Sequence, residues 1–160
     1  MVNKILVALD SSDFARRVFD RALFLAKASN GKMMLLHVLS PEAEDSSVSP
    51  RIISMDVNSL ATAEPIRSYH QQWEAFKQKC LYLLRSLTEE ATAAEVPTEF
   101  TQTPGSPGRS ICNFAKSWEA DILVMGRRGR SGLSELITLG IVVIMSSIML
   151  SVLFFWSKVE

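Results

Sequence analysis

The stretch Ile122–Gly140, ILVMGRRGRSGLSELITLG, decides how the rest of the chain is read. A short apolar run, ILVM, breaks at Gly126 into a turn rich in glycine and arginine. Short, continuous, β-prone apolar runs are the pattern of strands covered on both faces. Gly126 and Gly129 stand at a spacing that lets backbone N–H groups converge on an anion, and Arg127, Arg128 and Arg130 add positive charge. The stretch therefore reads as a strand that delivers an anion-binding loop.

Upstream, the same kind of strand recurs. Lys4–Leu9, KILVAL, is followed by Asp10, Ser11, Ser12 and Asp13, which supply helix-start chemistry. Phe14, Val18, Ala22 and Leu25 then repeat at helical spacing until Asn30-Gly31 ends the helix. Met33–Leu39, MMLLHVL, is a second buried strand and completes a βαβ unit. From Ser40 to about Ala63 the composition shifts to Ser, Pro, Glu and Asp, the mark of a long connection. A helical pattern resumes through Trp73, Phe76, Cys80, Leu83, Leu87 and Ala91 and stops at Val96-Pro97. Its aromatic residues are expected in the core. Thr98–Thr103, TEFTQT, is a more polar strand suited to a sheet edge. In Pro104–Gly108, Ser106 serves as N-cap and Pro107 as the first residue of a helix carrying Ile111, Phe114, Ala115 and Trp118. Asp121–Met125 is the fourth strand. This alternation predicts an α/β fold with an open, doubly wound parallel sheet. A ligand would sit beyond the carboxyl ends of the strands, with the first and fourth strands flanking the switch point.

The totals agree with one domain. At 160 residues the chain can bury a core without disulfides or metals, and 17 basic residues balance 17 acidic ones, so net charge points to no nucleic-acid partner. Cys80 and Cys112 lack metal or redox spacing and are expected as buried thiols. The N-terminal apolar run is too short for a signal peptide, which makes a cytoplasmic domain the expectation. His37 is expected as a satisfied core histidine within its strand, and His70 as a solvated helix residue. No general base or metal site is recognisable, so catalysis is not expected.

Neither GxxxxGK[ST] nor GxGxxG occurs. The loop MGRRGRSG after a buried strand, the opening strand ending in Asp10, and the pair His37-Val38 together resemble the universal stress protein family, over Asn3 to about Leu136. The resemblance implies a Rossmann-like sheet of the adenine nucleotide alpha hydrolase type and a stress-response regulatory module that binds ATP or another adenine nucleotide, with Mg²⁺ entering only with the nucleotide. It implies that Asp10 and Val38 contact the adenosine part, that Met125 and Gly126 line the nucleotide, that Gly129 approaches the phosphates, and that Gly140 closes the loop. In nucleotide-binding members the loop runs glycine, two residues, glycine, nine residues, then glycine with Ser or Thr. Here Gly140 lies one residue beyond that spacing and Ile141 replaces the hydroxyl residue.

The family continues with an amphipathic helix and a fifth strand that commonly pairs with its copy in a dimer. This chain departs from that pattern, and its fifth strand is expected to be missing or degenerate, replaced by an apolar C-terminal segment. The domain is drawn at residues 1–135 and the segment at 136–157. Leu136–Trp156 carries no charge, and about 21 residues at roughly 1.5 Å each would reach about 31 Å as a helix, enough to cross a bilayer. Three readings stay open: a transmembrane helix that anchors the domain to a membrane, a degenerate strand at Ser151–Phe155, or a divergent end. They leave two rival functions, a membrane-attached interaction protein that binds no nucleotide and a slow ATPase.

Overall fold

A computed structural model describes residues 2–40, 63–126, 141–145 and 152–155, with side chains described for 2–40 and 67–126. The elements run β1 (Lys4–Leu9), α1 (Phe14–Ser29), β2 (Lys32–Leu39), α2 (Ala63–Ala93), β3 (Thr98–Pro104), α3 (Pro107–Ser117), β4 (Ile122–Gly126), β5 (Ile141–Met145) and β6 (Val152–Phe155). The strands form one sheet in the order β3-β2-β1-β4-β5-β6. β1 pairs in parallel with both β2 and β4, and β2 with β3. The first and fourth strands are therefore neighbours, and the polar β3 lies at an edge.

The period-2 geometry of the strands sorts their side chains onto two faces. Ile5, Val7, Met33, Leu35, Ile122 and Val124 pack against Val18, Phe19 and Ala22 of α1 and against Leu84, Leu87 and Ala91 of α2. The alternate positions Leu6, Met34, Leu36, Val38 and Leu123 pack against Ile111 of α3 and against Phe114, Ala115 and Trp118. Helices thus cover both faces, as a doubly wound sheet requires, and β2 is buried along nearly its whole length. Across the first face, the Arg16 guanidinium donates to both carboxylate oxygens of Glu90 at 2.7 and 2.6 Å, clamping α1 to α2. Half-exposed, that pair contributes at most about 1 kcal/mol, so apolar burial dominates the packing.

The three helices close with one motif. After α1, Gly31 N–H donates to Ala26 O (3.0 Å) and Asn30 N–H to Lys27 O (3.4 Å). After α2, Val96 N–H donates to Ala91 O (3.0 Å) and Glu95 N–H to Thr92 O (3.0 Å). After α3, Ala120 N–H donates to Ala115 O (2.9 Å) and Glu119 N–H to Lys116 O (3.1 Å). Asn30, Glu95 and Glu119 take left-handed φ values of 51°, 62° and 55°. This nested pair of bonds satisfies the last helix carbonyls and turns the chain straight into the next strand. Two of the three left-handed positions hold glutamate, a residue that gives no turn signal in sequence.

The C-terminal segment differs from the transmembrane expectation. β5 runs antiparallel to β4, with Gly126 opposite Ile141, and β6 runs antiparallel to β5. β5 and β6 thus extend the parallel four-stranded core as antiparallel strands, and the strand reading of Ser151–Phe155 coincides with β6. The β-branched run Ile141–Ile144 favours a pleated strand, and the outer edge of β4 offers backbone groups that need partners. Because Gly126 and Ile141 lie at the same end of the sheet, antiparallel pairing requires no crossover helix. Among the described residues no helix is long and apolar enough to cross a membrane.

Candidate functional site

A cleft with a volume of ≈ 250 Å³ opens beyond the carboxyl ends of β1, β2 and β4. Asp10, Val38, Met125 and Gly126, far apart in sequence, all line it. The strand register brings them together, since Leu9 stands opposite His37 on β2 and Ala8 opposite Met125 on β4. Gly129 and Gly140 lie outside the described residues. The volume is just below the roughly 300–1,000 Å³ of pockets that enclose drug-sized ligands, so it suits one compact unit of a ligand.

Each lining residue has a local reason for its position. Asp10 is not the N-cap of α1, because that place belongs to Asp13. Its Oδ1 instead accepts from Ser12 N–H (3.1 Å) and Ser12 Oγ–H (2.6 Å), the bonding of an Asx turn that swings the chain from β1 into α1. Val38 is buried on the α3 face, where it serves the core and the cleft floor at once. Met125 is half-buried and stands opposite Ala8 of β1. At Gly126 an added Cβ would lie 2.9 Å from Phe14 Cδ1 and 3.1 Å from Val18 Cγ2, so the absence of a side chain lets α1 close on β4 whatever binds in the cleft. α3 begins at Ser106 as N-cap with Pro107 in its first turn, and Pro107 and Ile111 form the wall opposite α1.

The cleft also contains residues for which the sequence suggested only core roles. Phe76 of α2 lines it and stands 6.2 Å, centroid to centroid, from the His37 ring. Helical periodicity cannot separate such a position from ordinary core. His37 is 5% exposed, and its Nδ1 lies 3.3 Å from Nε2 of Gln102 on β3. One signal for Gln102 existed: it follows Phe100 at strand period, placing an amide on an inward face. His70 is exposed, as expected for a helix surface. Cys80 is buried, but Cys112 is exposed, correcting the expectation that both thiols are buried. Ile111 takes the inward position on α3, and the next residue is turned about 100° away from it.

Burial pushes the His37 imidazole below its ordinary value, and the nearby Asp10 carboxylate partly opposes this. The unfolded chain therefore binds the proton more readily than the folded one. This contribution to stability is complete above the unfolded pKa of about 6.5 and is lost as pH falls below it toward the lowered folded value. Its slope there reaches at most about 1.4 kcal/mol per pH unit. Urea titrations between pH 7.5 and 5.5 should show the folded chain weakening, and His37→Leu should flatten that dependence. An unchanged slope in the variant would assign the effect to other groups.

The family model for the universal stress protein family matches residues 1–144. A relative of that name from Synechocystis, Sll1388, is 32% identical over 132 residues, covering 82% of each chain. Among solved structures, universal stress protein UspA from Lactobacillus plantarum superposes with a TM-score of 0.61 at 21% identity, over 86% of this chain and 85% of that one. A universal stress protein in complex with cAMP gives a TM-score of 0.54 at 26% identity, over 82% of this chain and 80% of the other. The parallel β3-β2-β1-β4 core with its helices agrees with the family match over nearly the whole length, and that match settles the affiliation: the chain belongs to the universal stress protein family.

Proposed function

We propose that the chain is a stress-response regulatory module that binds an adenine nucleotide in the strand-end cleft. The observation that carries this reading is the convergence of Asp10, Val38, Met125 and Gly126 around one cleft at the β1–β4 switch point. Apolar side chains such as Val38, Ile111 and Met125 suit the faces of a base, and the Asp10 carboxylate suits sugar hydroxyls as donors. The family member in complex with cAMP supports the ligand class.

The test is calorimetric titration of the full chain with AMP and with ATP, paired with thermal unfolding. A ligand that binds only the folded state adds about 2.7 kcal/mol of stability at 100 times its Kd. Asp10→Ala is expected to weaken binding by about one to two decades, the value of a hydrogen bond to a charged group. No heat of binding and an unmoved Tm with either nucleotide would defeat the reading.

A further inference from the structure

The contacts around His37 favour one of its two neutral tautomers. Gln102 Nε2 lies 3.4 Å from the Lys77 carbonyl oxygen and 3.3 Å from His37 Nδ1. A carbonyl oxygen only accepts, so it is the NH₂ end of the Gln102 amide that faces Lys77 O. The same nitrogen then offers its second hydrogen to His37 Nδ1, which must accept it. A neutral imidazole that accepts at Nδ1 carries its proton on Nε2. Burial favours the neutral ring in the folded chain.

The register sets the neighbours of His37 on both flanks. His37 stands between Gln102 on β3 and Leu9 on β1. Nδ1 faces Gln102 on β3, so the other ring nitrogen points away from that amide, and Asp10, which follows Leu9, lines the cleft together with His37. Phe76 closes over the ring from α2.

We propose that His37, held as the Nε2–H tautomer by Gln102, is a specificity-determining residue of the cleft that recognises a ligand hydroxyl together with Asp10. His37 Nε2–H donates to the hydroxyl oxygen, and that hydroxyl donates its own proton to the Asp10 carboxylate. A hydroxyl can donate and accept at once, so a donor facing an acceptor selects it over groups that do only one. Resting on the nucleotide reading above, this makes the ligand a ribonucleotide, recognised through a sugar hydroxyl. A site built around a hydroxyl rejects the analogue lacking it, because its own polar groups then lose their partner.

The tautomer is read first, from long-range ¹H–¹⁵N spectra of the full chain without ligand near pH 8. Nε2 should be protonated and Nδ1 bare, and a proton on Nδ1 would overturn the proposal. Saturating AMP should then shift the Nε2–H resonance, and AMP should bind at least about tenfold more tightly than one of its 2′-deoxy and 3′-deoxy analogues. His37→Leu, which keeps the volume and removes the donor, should lose about fivefold to tenfold in AMP affinity and erase that preference. His37→Gln, which keeps a donor near the Nε2 position, should restore most of both. If AMP perturbs the amides of Asp10, Val38 and Met125 while Nε2–H stays still, or if both deoxy analogues bind as well as AMP, the hydroxyl assignment falls and nucleotide binding stands. If AMP perturbs none of these groups, the nucleotide reading fails and the hydroxyl assignment fails with it.

Discussion

Replacing Phe19 with alanine is expected to cost about 3–5 kcal/mol of folding stability, the range for truncating a fully buried aromatic side chain. Phe19 is 0% exposed, within the cluster that joins α1 to β1, β2 and β4. Its removal leaves a cavity beneath the helix that also carries Phe14 and Val18 against Gly126. Close-packed interiors relax only partly around such a gap, so the penalty exceeds the transfer energy of the lost ring. The control lies on the same helix: Phe24 is 68% exposed, and Phe24→Ala should change stability by no more than about 0.5 kcal/mol. Urea unfolding should show a lower midpoint at constant m for Phe19→Ala and almost no movement for Phe24→Ala. Equal shifts would mean that α1 is not seated on the sheet as described.

The second large effect is electrostatic and lies at the opposite end of the sheet from the cleft. Asp121 Oδ2 accepts from the backbone N–H groups of Asn3 and Lys4, each at 2.8 Å, and Asp121 N–H donates to Lys4 O at 2.9 Å. One carboxylate thus ties the start of β1 to the start of β4. Hydrogen bonds to a charged acceptor contribute about 1.5–3 kcal/mol each, but Asn3 is exposed and water replaces much of its share. Asp121→Ala should therefore cost about 2–3 kcal/mol, and Asp121→Asn, which keeps a neutral acceptor, should cost less. Faster amide exchange at Lys4 in the alanine variant would localise the loss, whereas unchanged exchange would contradict the tie.

The strand-helix alternation was legible because buried parallel strands read as short apolar runs and the helices between them keep a 3.6-residue period. Asp10, Val38, Met125 and Gly126 came forward through family resemblance, and the sheet register gathers them around one cleft. The reason for Gly126 did not come forward, because close approach to Phe14 and Val18 is a property of packing rather than of spacing. Gln102 and Phe76 were hidden in a similar way, since each meets His37 from a different element. The C-terminal segment resisted for another reason. An uncharged apolar run carries no periodicity to separate helix from strand, and the free edge of β4 that favours a strand is a tertiary feature.

The repeated helix stop after α1, α2 and α3 makes the two ends of the sheet unequal in their tolerance of change. At one end Asn30-Gly31, Ala94–Pro97 and Trp118–Asp121 pass from helix to strand with no slack. An inserted residue there would slide a strand against its neighbour and turn its side chains to the other face. The connections from β2 to α2 and from β4 to β5 leave the sheet at the cleft end and carry far more chain. Added residues in them are taken up outside the strands, so the register that aims Asp10, His37 and Val38 is kept.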